Sequence, residues 1–129
     1  MEDKDYVFHD FSEKSRVSLK SDVITVYTGK TSPTLAVNPV IGGEVWDRQL
    51  LRLRIREDLL TGQLHLVFNR EHGLTGRRDK KIVKWSNKEL VMFLKDRLKL
   101  EENKTTRLKI SENLANSDEF MTYEIIGKL

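Results

Sequence analysis

The chain has 129 residues, no cysteine and two prolines, with 38% hydrophobic and 33% charged side chains. One domain of modest core and heavily charged surface is expected. A disulfide scaffold, a thiolate zinc finger and a catalytic cysteine are excluded, and the longest apolar run, Leu90–Leu94, is far short of the ~20 residues of a membrane-spanning helix.

Residues 1–21 hold few apolar positions and read as a loosely held N-terminal arm, with Tyr6, Val7, Phe8 and Phe11 available to pin it. Its acidic start, Met1-Glu2-Asp3-Lys4-Asp5, is unlike a signal peptide, and the absence of cysteine fits a cytoplasmic protein. The rest, 22–129, reads as one domain. Residues 22–28 are β-branched and aromatic and predict a strand that ends at Gly29-Lys30. Thr34–Val37 is a short second strand hemmed by Pro33 and Pro39, and Ile41-Gly42-Gly43 reads as loop.

From Leu51 to Arg56, leucine and isoleucine alternate with arginine. Period two sends Leu51, Leu53 and Ile55 to one sheet face and Arg52, Arg54 and Arg56 to the other. Gln63–Phe68 alternates again, with Leu64, Leu66 and Phe68 on one face. The pair predicts an antiparallel hairpin, buried on one side and wet on the other. Residues 69–79 carry two glycines and read as a mobile loop, and 80–85 as a strand. Ser86-Asn87-Lys88-Glu89 forms a capping box with Ser86 as the cap. The helix it starts runs about 87–100 with Leu90, Val91, Phe93, Leu94, Leu98 and Leu100 on one stripe. Residues 107–110 and 120–126 are two further strands. No internal repeat is evident.

The net charge of +3 is concentrated. Residues 48–84 hold ten basic and four acidic side chains, a net +6, and a clustered basic stripe is the footprint of a polyanion partner. Arginines two apart on a strand stand roughly 6–7 Å apart, close to the phosphate spacing of a single nucleic-acid strand. The candidate nucleic-acid-binding residues are therefore Arg52, Arg54, Arg56, His65, Arg70, Arg77, Arg78, Lys80, Lys81 and Lys84. His65 is placed to meet a base, and Trp85 reads as core or as a cover over the helix start. The bland alternative is a strand face charged for solubility or against edge pairing.

Enzyme chemistry finds little footing. His9, His65 and His72 lack metal-ligand spacing, Glu71-His72 falls in a loop without a third ligand, and Gly42-Gly43 lacks the lysine of a phosphate loop. No catalytic residue, metal or cofactor is expected.

The order over residues 51–100 is strand, turn, strand, Gly- and Arg-bearing loop, strand, cap and helix. With Arg70-Glu71 after the hairpin, Gly76-Arg77-Arg78 in the loop and Ser86 to Glu89 at the helix start, it resembles the positive-cofactor-four family of transcriptional coactivators. That resemblance implies a curved antiparallel sheet followed by a helix, pairing of two copies through the helix, and binding of single-stranded DNA with Arg70, Arg77 and Lys80 or Lys81 toward it. The chain departs from the family at Lys80-Lys81-Ile82, where the family has glycine between the basic residue and isoleucine. The strands at 22–28 and 106–126 lie outside the family's minimal pattern.

The expectation is thus an α+β domain, a mainly antiparallel curved sheet of five to seven strands with one packed helix. Functionally it is a nucleic-acid-binding module with a regulatory role, single strands preferred over duplex, and with a homodimer through the helix as an option. The alternative is an adaptor or inhibitor whose basic face docks an acidic protein. A membrane surface ranks last, since the sequence shows no exposed apolar anchor.

Overall fold

The computed structural model describes residues 23–80, 82–111 and 115–129. The expected arm at 1–21 and the candidate Lys81 lie outside the described residues.

The fold is α+β and mainly antiparallel, with more strands than expected and a second helix. In chain order the elements are β1 (Val23–Tyr27), β2 (Thr34–Val37), α1 (Pro39–Asp47), β3 (Arg52–Glu57), β4 (Leu64–Asn69), β5 (Leu74–Thr75), β6 (Arg77–Asp79), β7 (Ile82–Ser86), α2 (Lys88–Leu98), β8 (Thr105–Ile110), β9 (Ala115–Asn116) and β10 (Phe120–Lys128). The sheet runs β5-β3-β4-β10-β8-β1-β2-β7-β6, and β9 pairs with β10 off that path. Its two end strands, β5 and β6, are separated in the chain only by Gly76. One short segment therefore serves β3 with its first half and β7 with its second, and the sheet comes round almost into a barrel.

The expected mobile loop at 69–79 is ordered instead, and three residues explain it. Asn69 is buried, and its Oδ1 accepts from the backbone N–H groups of Glu71 (2.9 Å) and His72 (2.7 Å) while its Nδ2 donates to the carbonyl of His72 at 3.0 Å. Gly73, at φ +109°, lies so close to β3 that a Cβ would stand 2.2 Å from the Leu53 carbonyl oxygen. At Gly76 a Cβ would stand 2.5 Å from the Trp85 ring, so the seam of the barrel admits only glycine without a shift.

The reading of 41–43 as loop is corrected as well. Pro39 opens α1 and does not close a strand: Asn38 caps it, accepting from Val40 N–H at 2.9 Å and Ile41 N–H at 3.0 Å. Gly42 and Gly43 weaken helix propensity, but burial of Ile41, Gly42 and Val45 holds the element. At α2 the cap is Asn87, which accepts from Leu90 N–H at 2.9 Å, one residue later than expected. Ser86 remains in β7, its hydroxyl 3.0 Å from that of Thr34. The helix ends at Leu98, because Lys99 turns left-handed at φ 58°.

Inside the barrel, Trp85 is flanked by Phe68 at 5.4 Å between ring centroids, and Phe68 meets Tyr123 edge-on at 6.0 Å. Trp85 Nε1 donates to the Leu51 carbonyl at 3.0 Å. Trp85 is thus core. Leu53, Leu66, Leu94, Leu108 and Met121 belong to the same core and are fully buried.

The strand order also shows an internal repeat that the sequence hides. β1-β2-α1-β3-β4 and β5/β6-β7-α2-β8-β10 are both ββαββ units, and the equivalent pairs β2/β7 and β4/β10 are neighbours. Both helices have asparagine caps. Past each helix a residue with positive φ (Gln49 at 60°, Lys99 at 58°) precedes a buried leucine. The N–H of that leucine reaches back to the helix, from Leu50 to the Val45 carbonyl at 2.8 Å and from Leu100 to that of Lys95 at 2.9 Å. Next come Arg52-Leu53-Arg54-Ile55 in one unit and Arg107-Leu108-Lys109-Ile110 in the other.

Candidate nucleic-acid interface

The alternation at Leu51–Arg56 is realised as read. Arg52, Arg54 and Arg56 are exposed, Leu53 is buried, and Leu51 and Ile55 are half-buried. The antiparallel register extends this outer face across three strands. Arg52 stands opposite Asn69, which stands opposite Phe120; Arg54 opposite Val67 and then Thr122; Arg56 opposite His65 and then Glu124. Directly opposed residues share a face, so these nine positions form the outside of one wall, with arginines along one border.

That wall is hollowed. One hollow of about 270 Å³ and one of about 390 Å³ share Arg54, Val67 and Phe120. Arg70, Glu71 and Glu119 rim the first, and Arg56 and Thr122 line the second. Among the described residues neither Arg54 nor Arg56 has an ion-pair partner, and Arg52 spends one N–H on the Gly73 carbonyl at 3.0 Å. His65 is on the same face, half-buried. His65 Nδ1 and Thr122 Oγ1 are buried without a hydrogen-bond partner among the described residues.

The remaining candidates are placed differently. Arg70 follows β4 and is exposed, with its guanidinium donating to the Arg48 carbonyl at 3.0 Å near the end of α1. Arg77 and Lys84 are directly opposed on β6 and β7, across the seam from β3. Lys84 is bound to Asp79 at 3.0 Å, and this hydrogen bond and charge hold the Asp79 carboxyl below its ordinary range. Arg78 lies 5.1 Å from the centre of the Trp46 ring and donates to the Lys80 carbonyl at 2.8 Å. Lys80 is exposed in the β6–β7 turn with φ 61°. The nine described candidates thus divide between two walls, and Arg54, Arg56 and Arg70 border a hollow without an ion-pair partner among the described residues.

Three groups of residues escaped sequence reasoning. Phe120 and Thr122 complete the hollowed wall from a strand more than fifty residues beyond β4 in the chain. Arg107 and Lys109 are exposed on β8, the counterpart of β3, and the repeated Arg-Leu-(Arg/Lys)-Ile pattern is the signal that marks them. Leu59 and Leu60, at the tip of the β3–β4 hairpin, are 89% and 97% exposed, so an apolar tip exists where none was expected.

No group of acidic and histidine side chains suited to a metal ion occurs among the described residues, and no helix there is long and apolar enough to cross a membrane. No protein-family model matches the chain, and no curated protein or solved structure matches it either.

Proposed function

We propose that the protein binds single-stranded nucleic acid on the outer wall of β3, β4 and β10. The observation that carries this reading is the pair Arg54 and Arg56, exposed and without ion-pair partners among the described residues, bordering hollows floored by Val67 and Phe120. Free guanidinium groups beside an apolar floor suit a chain that offers phosphates on one side and unstacked bases on the other. A duplex is served less well. The apolar faces of α1 and α2 are spent on the core, with Ile41, Val45, Leu90, Val91 and Leu94 buried, so neither helix is presented for a groove. The positive-cofactor-four resemblance of residues 51–100 implies the same class of ligand and a role in transcription regulation, although β4 here pairs with β10, and β7 with β2 and β6.

The test is fluorescence anisotropy of a labelled single-stranded oligonucleotide over a salt series. Log affinity should fall with log salt at a slope near −0.7 per phosphate contacted. The Arg52→Ala/Arg54→Ala/Arg56→Ala variant should flatten that slope by about 2. A slope near zero, or a triple variant that binds like the parent, removes the proposal.

One observation favours the protein-interaction alternative: the bare Leu59-Leu60 tip beside Arg56. Under that reading the tip and the arginines dock an acidic partner. A defined protein recovered after nuclease treatment, and lost with Leu59→Ser/Leu60→Ser, would support it over the first.

A further inference from the structure

We infer that the wall holds a base-stacking subsite centred on Phe120, a residue outside the basic block. The inference rests on the single-strand reading above and specifies how the strand lies.

Phe120 is half-buried, lines both hollows, and is two strands from Arg52 in the same row. Strand spacing of about 4.8 Å places β3 and β10 roughly 10 Å apart. An arginine side chain spans much of that gap, so a nucleotide laid across β4 sets its phosphate at Arg54 and its base over Phe120.

Charge fixes the direction. The β3 border is purely cationic, whereas the rim of the hollow around Phe120 is mixed, with Glu119 and Glu71 beside Arg70. Carboxylates repel phosphate and accept hydrogen bonds from base amino groups. The backbone of the strand therefore follows Arg52, Arg54 and Arg56, and the base edges point to the side of the hollow that holds the two glutamates.

Thr122 adds a second, independent sign of a ligand. It is 1% exposed, it lines the larger hollow, and its hydroxyl has no partner among the described residues. A buried hydroxyl without a partner is costly, and a turn about χ1 offers it to a base in the hollow. Only an unpaired base with an open face reaches such a floor, because in a duplex that face is covered by its stacked neighbours.

Anisotropy with two single-stranded oligonucleotides of equal length tests this, one normal and one built of abasic sites. The parent should bind the normal strand about tenfold tighter or better. Phe120→Ala should lose about 5- to 100-fold on the normal strand and nothing on the abasic one, while Phe120→Tyr keeps the ring and the affinity. Phe120→Leu, closer in volume, should show the same selective loss with an unchanged unfolding midpoint, separating stacking from folding. Equal binding of both strands, still sensitive to the triple arginine variant, would overturn this subsite and leave the single-strand reading standing. Failure to bind either strand would overturn both.

Discussion

On β3, Arg54 and Arg56 stand exposed without ion-pair partners among the described residues, bordering two hollows. On β6 and β7, Lys84 is held by Asp79 at 3.0 Å and Arg78 lies against Trp46. Both walls draw on the same net +6 stretch of sequence. The difference comes from what each strand pairing brings across. β4 offers β3 Asn69, Val67 and His65, none of them an acid, whereas the β6–β7 hairpin carries its own aspartate. Charge counted along a chain measures supply, and the register decides how much is left for a partner.

The most severe way to break the comparison is to remove the core that both walls share. Trp85→Ala deletes the ring packed on Phe68 and the hydrogen bond to Leu51. It should cost about 3–5 kcal/mol, read as a lower denaturant midpoint. A more selective pair of variants sharpens it. Arg54→Ala/Arg56→Ala should reduce the salt slope of oligonucleotide binding by about 1.4 and leave stability nearly unchanged. Arg78→Ala/Lys84→Ala removes as many cations but should leave the slope alone and cost about 1 kcal/mol of stability through the lost contact with Trp46. If both doubles weaken binding equally, the two walls act as one surface.

The smallest effect concerns pH. The folded-state pKa of Asp79 is depressed by Lys84. The stabilisation it brings is present above the unfolded value, about 3.9, and is lost as pH falls through the lower folded value. The stability difference between the parent and Lys84→Met should therefore be steady at neutral pH and disappear in acid. A difference that persists in strong acid would show that Lys84 acts by packing alone.

What was legible in the sequence followed from burial on one side. Leu53, Leu66 and Phe68 declare their alternation because a core face cannot tolerate slippage. The start of α2 was legible to within a residue, and the error has a local cause: Thr34 takes the Ser86 hydroxyl, so Asn87 caps. α1 was hidden because its glycines lower the propensity that tertiary packing restores. β5 and β6 were hidden because they are only two and three residues long, and because β5 pairs with the distant β3, which Gly73 lets approach. The site divides likewise. Its arginines are visible in one strand's rhythm, whereas Phe120 joins them only through pairing between β4 and β10.

The position of β1 bears on how the chain acquires this shape. It lies between β2, its neighbour in sequence, and β8, which follows it by some eighty residues. During synthesis the first described strand must therefore wait for nearly the last to emerge before its second edge is covered. A sheet closed by such distant pairings forms slowly and late, and until β8 and β10 arrive, the N-terminal unit carries open strand edges that invite pairing with other chains.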